Sequence, residues 1–141
     1  MHDTFDLSRF VEAQRPVFSR VMDELRAGRK TGHWMWFIFP QLQGLGRSAM
    51  AARFAISGLA EARAYLQHDV LGPRLEQCVN TVLEHRDISA GQLFGSPDDL
   101  KFRSCLTLFI HAQPDSPVYQ RGLDQFYCGE PDPKTLLLLG D

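Results

Sequence analysis

Cysteine is scarce and badly placed for any framework: Cys78, Cys105 and Cys128 stand far apart in a chain of 141 residues, and no CxxC pair occurs. The odd number and the spacing argue against both a disulfide scaffold and a structural zinc site. Free thiols in a reducing compartment are the simple reading, so a cytoplasmic protein is expected. Long apolar runs are also missing. The longest, Trp34–Phe39 and Leu136–Leu139, fall far short of the ~20 residues that span a bilayer. No membrane partner is therefore expected. The N-terminus, Met-His-Asp-Thr-Phe-Asp, lacks a basic start followed by an apolar stretch, and no secretory leader is expected. There is no Walker A loop, no GxGxxG and no Gly-x-Ser-x-Gly elbow, and His68, His85 and His111 have no metal-type spacing. No metal and no cofactor are expected, and no nucleophile is evident. Repeats, low-complexity tracts and linkers are absent too, which leaves one domain over residues 1–141.

What is present suits a globular core. The apolar fraction is 44% and the charged fraction 23%, close to the averages of folded domains. A chain this long buries roughly two-thirds of its unfolded surface without staples.

The apolar positions recur with helical spacing. Leu7, Phe10, Val11 and Gln14 share one face, and Pro16 interrupts before a stripe of Val17, Phe18, Val21, Met22 and Leu25 that Gly28 is placed to stop. Ser57 is placed to cap a helix with Leu59, Ala62 and Leu66, and a longer helix carries Leu71, Leu75, Cys78, Val79, Val82 and Leu83, its start blurred by Gly72-Pro73. Three starts are marked by a capping residue before proline: Ser96-Pro97, Ser116-Pro117 and Asp132-Pro133. The segment from Leu100 to His111 is apolar nearly all round, as in a helix buried inside a bundle. Phe102, Cys105, Leu106 and Phe109 are its expected core residues. Cys105–Ile110 also fits a buried strand, but no partner strand with two-residue alternation is seen. The expected fold is all-α, a compact bundle of five or more helices with little or no sheet.

The net charge of −2 hides an asymmetry. No acid occurs between Glu24 and Glu61, a stretch holding Arg26, Arg29, Lys30, Arg47 and Arg53, while the remainder carries ten basic and seventeen acidic residues. Such a local field favours a small anionic ligand, a nucleotide-like one included, over a nucleic acid, which the acidic remainder repels. The same segment also suits packing against that remainder.

Within it lies His33-Trp34-Met35-Trp36-Phe37-Ile38-Phe39-Pro40-Gln41, followed by Gly44-Leu45-Gly46-Arg47-Ser48. The aromatics read as a core plug. Beside them, the two glycines permit close backbone approach, Ser48 can open a helix, and Arg47 adds charge, an arrangement able to hold phosphate or carboxylate. A plain tight turn explains the glycines equally well. His33, next to Lys30, is a candidate general base or anion donor, although a lone histidine before an aromatic run is more often a packed or surface residue. Lys101, Ser104, Leu108 and His111 form a polar strip on the buried helix, either part of a site or an internal network. The candidate ligand-binding set is therefore Lys30, His33, Gln41, Gly44, Gly46, Arg47, Ser48 and Lys101. Asp98 or Asp99 is the internal carboxylate most able to neutralise it. The alternative is a non-enzymatic interaction module that docks an acidic partner through residues 26–53. No reaction and no oligomeric state follow from these residues.

The pattern Leu7-x-x-Phe10-Val11-x-Ala13-Gln14, Glu24-Leu25-x-x-Gly28-x-Lys30, the HWMWFIFPQ block with Gly44-Leu45-Gly46-Arg47-Ser48, Glu61-Ala62-x-x-Tyr65-Leu66, Leu71-Gly72-x-Arg74-Leu75, Asp98-x-x-Lys101 and Thr107-Leu108-Phe109 resembles the bacterial family catalogued as domain of unknown function 1810. The resemblance runs to Phe126, Gly129 and Thr135-Leu136 and covers almost the whole chain. It implies a compact, mainly helical domain and no established activity, so it assigns no catalytic residue. Members are sometimes labelled calpastatin-like, but calpastatin-type inhibitors are disordered repeats, and this chain has a core-forming composition and no repeat.

Overall fold

The structure, a computed structural model, describes residues 3–140, which form ten helices and no sheet. The first two, α1 (Ser8–Gln14) and α2 (Phe18–Ala27), are split at Pro16. Asp3 supplies the start of α1, accepting the backbone N–H groups of Leu7 and Ser8 at 2.6 and 2.9 Å. Gly28 ends α2 in the left-handed region at φ 78°, a conformation costly for residues with a Cβ. Two short helices follow, α3 (Met35–Ile38) and α4 (Ala49–Arg53). Between and after them the chain makes a single parallel bridge, Leu42 with Ile56, the one β pairing among the described residues.

The larger helices are α5 (Leu59–Gln67), α6 (Leu71–Leu83), α8 (Asp98–Ala112) and α9 (Pro117–Tyr127), with α7 (Ala90–Phe94) and α10 (Pro133–Leu139) as shorter pieces. α8 is central, packed by α5, α7, α9 and α10. Phe102, Cys105, Leu106 and Phe109 are all 0% exposed, as the all-round apolar pattern predicts. The aromatic block closes the core from one side. Phe39 meets Phe102 and Phe94 edge-on at 4.9 and 5.7 Å between centroids, a favoured geometry for ring quadrupoles.

The helix starts are where expectation and structure diverge in detail. All three proline-marked sites open helices, yet only Asp132 caps with its side chain, accepting Thr135 N–H at 3.3 Å. At α8 the backbone does the work: the carbonyls of Gly95 and Pro97 accept the N–H groups of Asp99, Leu100 and Lys101, so the Ser96 hydroxyl is not needed. Ser57 does not cap α5 either, whose N-cap is Gly58. Its N–H and O–H instead donate to Glu61 Oε1 at 2.9 and 2.8 Å, while Arg9 pairs with the other Glu61 oxygen at 2.9 Å. Gly72 is no break. A Cβ there would lie 2.1 Å from the Leu66 carbonyl oxygen, so glycine lets α6 start tight against the end of α5.

Cys78 and Cys105 are buried free thiols and Cys128 an exposed one. Burial pushes the Cys78 thiol up to about 12 and Cys105 well above its ordinary value, so neither is a thiolate at neutral pH.

Leu106 packs against Gly122 of α9 as well as sitting fully buried in α8. Leu106→Ala is expected to cost roughly 2–5 kcal/mol by chemical denaturation; a loss below about 0.5 kcal/mol, the scale of surface substitutions, contradicts the placement of α8.

Candidate functional site

The acid-free segment begins against Glu24, near the end of α2. Oε1 of this buried carboxylate accepts the N–H groups of Thr31 and Gly32 at 2.7 and 2.9 Å and the Trp34 indole N–H at 3.0 Å. These bonds fold the α2–α3 loop, and Lys30 N–H donating to the Leu93 carbonyl at 2.7 Å pins it to α7. Burial pushes the Glu24 carboxyl up, but the donors from Gly32, Thr31 and Trp34 outweigh it and hold the group below its ordinary 4.5. Oε2 is buried with no hydrogen-bond partner.

The loop turns Lys30 inward. Its ammonium donates to the Gly32 carbonyl at 2.6 Å, pairs with Asp98 Oδ2 at 2.8 Å and lies 5.1 Å from the Trp34 ring centroid. The side chain is only 8% exposed. Asp98 is therefore the internal counter-charge, as the sequence allowed. Its other oxygen lies 3.4 Å from the Lys101 ammonium, which sits 5.4 Å from the centroid of the Trp36 ring.

Lys101 leads from this cluster into an open cleft of about 510 Å³. One wall is the loop after the aromatic block, through Gln41, Leu45 and Gly46; the second is the start of α8, through Pro97, Leu100, Lys101, Arg103 and Ser104; the third is the start of α10, through Asp132 and Lys134. Leu100 is 56% exposed, an unusual position on an otherwise buried helix. Behind Gln41 and Lys101 a cavity of about 10 Å³ reaches Trp36, room for one water at most.

The candidate residues thus divide. Gln41, Gly46 and Lys101 share the cleft, and Arg47 follows Gly46 as an exposed cation with no ion pair among the described residues. Lys30 is used internally, and neither it nor His33, which is exposed and makes no side-chain hydrogen bond among the described residues, lines the cleft. Ser48 caps α4 by accepting Ala51 N–H at 3.0 Å. Gly44, at φ 100°, sits where a Cβ would touch Leu138, and a Cβ on Gly46 would fall 2.5 Å from the Ala51 Cβ. Gly44 is thus favoured by its left-handed backbone and Gly46 by its close approach to α4.

Arg103, Lys134 and Asp132 are the cleft residues that sequence reasoning missed. They meet because the segment before α10 docks onto α8. The Ser104 hydroxyl donates to Asp132 Oδ2 at 2.8 Å, Asp132 N–H donates to Thr107 Oγ1 at 2.9 Å, and Arg103 donates to the carbonyls of Glu130 and Pro131 at 2.9 and 3.0 Å. The available signal was the polar strip of Lys101 and Ser104 facing a polar helix start at Asp132. A second groove of about 560 Å³ lies between α6 and α9, but its Arg86 and Arg121 stand beside Glu84 and Asp124. Among the described residues no cluster of His, Cys, Asp or Glu could hold a metal ion, and no helix is long and apolar enough to cross a membrane.

Fold and cleft define a small all-helical protein with a basic, part-apolar surface cleft. The chain belongs to the family described as "Protein of unknown function (DUF1810)", whose model matches residues 4–139. It is similar to the crystal structure of the conserved hypothetical protein Rv1873 from Mycobacterium tuberculosis, at 52% identity, with a TM-score of 0.97 and 99% of each chain covered. No curated protein matches it.

Because Glu24 is held below 4.5 in the fold, its charge stabilises the protein fully above pH 4.5 and that contribution is lost as the pH falls through the lower folded value. Glu24→Gln is expected to lower stability at pH 7 by about 1–3 kcal/mol, the cost of weakening bonds to a buried charged acceptor. It should also flatten the fall of the melting temperature below pH 4.5. An unchanged acid limb in calorimetry contradicts the assignment.

Proposed function

We propose that the protein binds a small organic anion in the cleft between Gln41–Gly46, the start of α8 and the start of α10. The observation that carries this reading is the meeting of Lys101, Arg103 and Lys134 in one cleft whose single lining carboxylate is Asp132; Arg103 is also held from outside the lining by Glu130, at 3.8 Å, which leaves Lys134 as the cation without an ion pair among the described residues. Oδ2 of Asp132 is already engaged by Ser104 and Thr135. The volume lies within the roughly 300–1,000 Å³ typical of small-molecule sites. Leu45, Pro97 and Leu100 supply apolar wall, so the ligand class is an anionic head on an apolar or ring-bearing body, as in an aryl phosphate or a mononucleotide. Gln41 adds an amide that can donate and accept. Gly46 lines the cleft, and the exposed Arg47 follows it in the chain. The reading is one of binding and assigns no catalytic residue; His33 does not line the cleft.

Calorimetric titration with AMP, phenyl phosphate and inorganic pyrophosphate at two salt concentrations tests it. Binding should weaken with salt. Lys134→Ala should lower affinity by roughly threefold to tenfold, the scale of one partly screened charge. Lys134 is exposed and without an ion pair among the described residues, so the ligand-free melting temperature should hardly move. If none of these anions binds or raises the melting temperature of the wild type, the cleft is not an anion site.

A further inference from the structure

One carboxylate serves two ammonium groups at the wall of the cleft. Asp98 Oδ2 lies 2.8 Å from Lys30 and Oδ1 lies 3.4 Å from Lys101, with side-chain exposures of 20% for Asp98, 8% for Lys30 and 26% for Lys101. No other carboxylate is within ion-pair distance of either lysine among the described residues. The shares are unequal. The Lys30 contact is shorter and drier, and attraction between charges grows as distance and hydration fall. A buried ammonium also costs far more unpaired than a half-hydrated one. Lys30 therefore claims most of the carboxylate, and Lys101 keeps charge that Asp98 would otherwise cancel.

We propose that Lys30 sets the anion affinity of the cleft without touching the ligand, by holding Asp98 off Lys101. Lys30 is then a positioning residue and Asp98 an internal competitor for the ligand's charge. The loop that buries Lys30, built on Glu24, is what fixes the ratio. This inference rests on the cleft being an anion site and deepens that reading. A cation lining a ligand cleft beside a fixed carboxylate is normally silenced; here a second, buried cation keeps it available.

A double-mutant cycle with inorganic pyrophosphate as the probe separates this from a plain charge effect. Lys30→Met keeps an apolar stem beside Trp34 and leaves Asp98 to Lys101 alone; affinity should fall by roughly fivefold, the scale of one nearby charge in part-hydrated surroundings. Asp98→Asn frees Lys101, and affinity should rise by a similar factor. In the Asp98→Asn background, Lys30→Met should have almost no effect, because no carboxylate remains to be held. Lys30→Arg, which keeps the charge, should retain affinity. Asp98→Asn leaves a buried cation unpaired and will lower stability, while the double variant relieves this and keeps the comparison available in folded protein. If Lys30→Met weakens binding by the same factor in both backgrounds, Lys30 acts only as a distant charge and the inference falls. If Asp98→Asn weakens binding, the carboxylate is structural and the inference falls too. In both cases an intact Lys134→Ala effect leaves the anion site standing. If pyrophosphate alone fails to bind the wild type, phenyl phosphate serves as the probe in the same cycle; if AMP, phenyl phosphate and pyrophosphate all fail to bind, the site and this inference fall together.

Discussion

A helix with apolar residues on every side has no stable place except the middle of other helices, and α8 imposes that constraint on the whole protein. Phe102, Cys105, Leu106, Leu108 and Phe109 are all fully buried, so α5, α7, α9 and α10 must surround them. Its buried polar residues then need partners. Thr107 and Ser104 find them in Asp132, which ties the start of α10 to the centre of the fold. The first turns of α8 reach solvent, as do Ile110 and His111 in part at its other end, and at the start Leu100 and Lys101 form one side of the cleft. The cleft is thus where the central helix leaves its own packing.

Charge is handled by the same rule at a second place. Glu24 is buried as a carboxylate because three N–H donors meet it, and hydrogen bonds to a charged acceptor can offset desolvation where a single neutral bond does not. The loop it organises carries Lys30 to Asp98. The acid-free segment consequently does not present one basic patch. Arg26 pairs weakly with Asp23 at the surface, Lys30 is internal, and Arg47 and Arg53 are exposed. Arg29 is exposed as well, and the five like charges have different neighbours because only Arg26 and Arg53 lie on helices, while Arg29, Lys30 and Arg47 lie in loops.

Much of the helical architecture was legible before any coordinates. The faces of α1, α2 and α6, the stop at Gly28 and the burial of α8 follow from side-chain spacing and from local backbone rules, which act over one or two turns. Pro117 and Pro133 stand at the first helical position, where an absent N–H costs nothing, whereas Pro97 is itself the N-cap of α8, whose helix begins one residue later than the pattern predicts. The partner at each start was less legible: Ser96 and Ser116 make no capping bond, because carbonyls and tertiary neighbours can satisfy the same N–H groups. Gly72 shows the same limit, as glycine marks close approach and chain breaks with one letter.

The sequence by itself determined an all-helical fold, the buried faces, and Gln41, Gly46 and Lys101 as residues beside a cluster of cations. Tertiary structure alone decided that Lys30 turns inward to Asp98 and that Arg103, Lys134 and Asp132 join Lys101. The reason is the range of the forces involved. Helical periodicity is set by bonds between residues three and four apart, whereas ion pairing and cleft formation depend on which helix ends meet. Lys30 reaches Asp98, and Asp132 reaches Ser104 and Thr107, across the packed helices rather than along the chain.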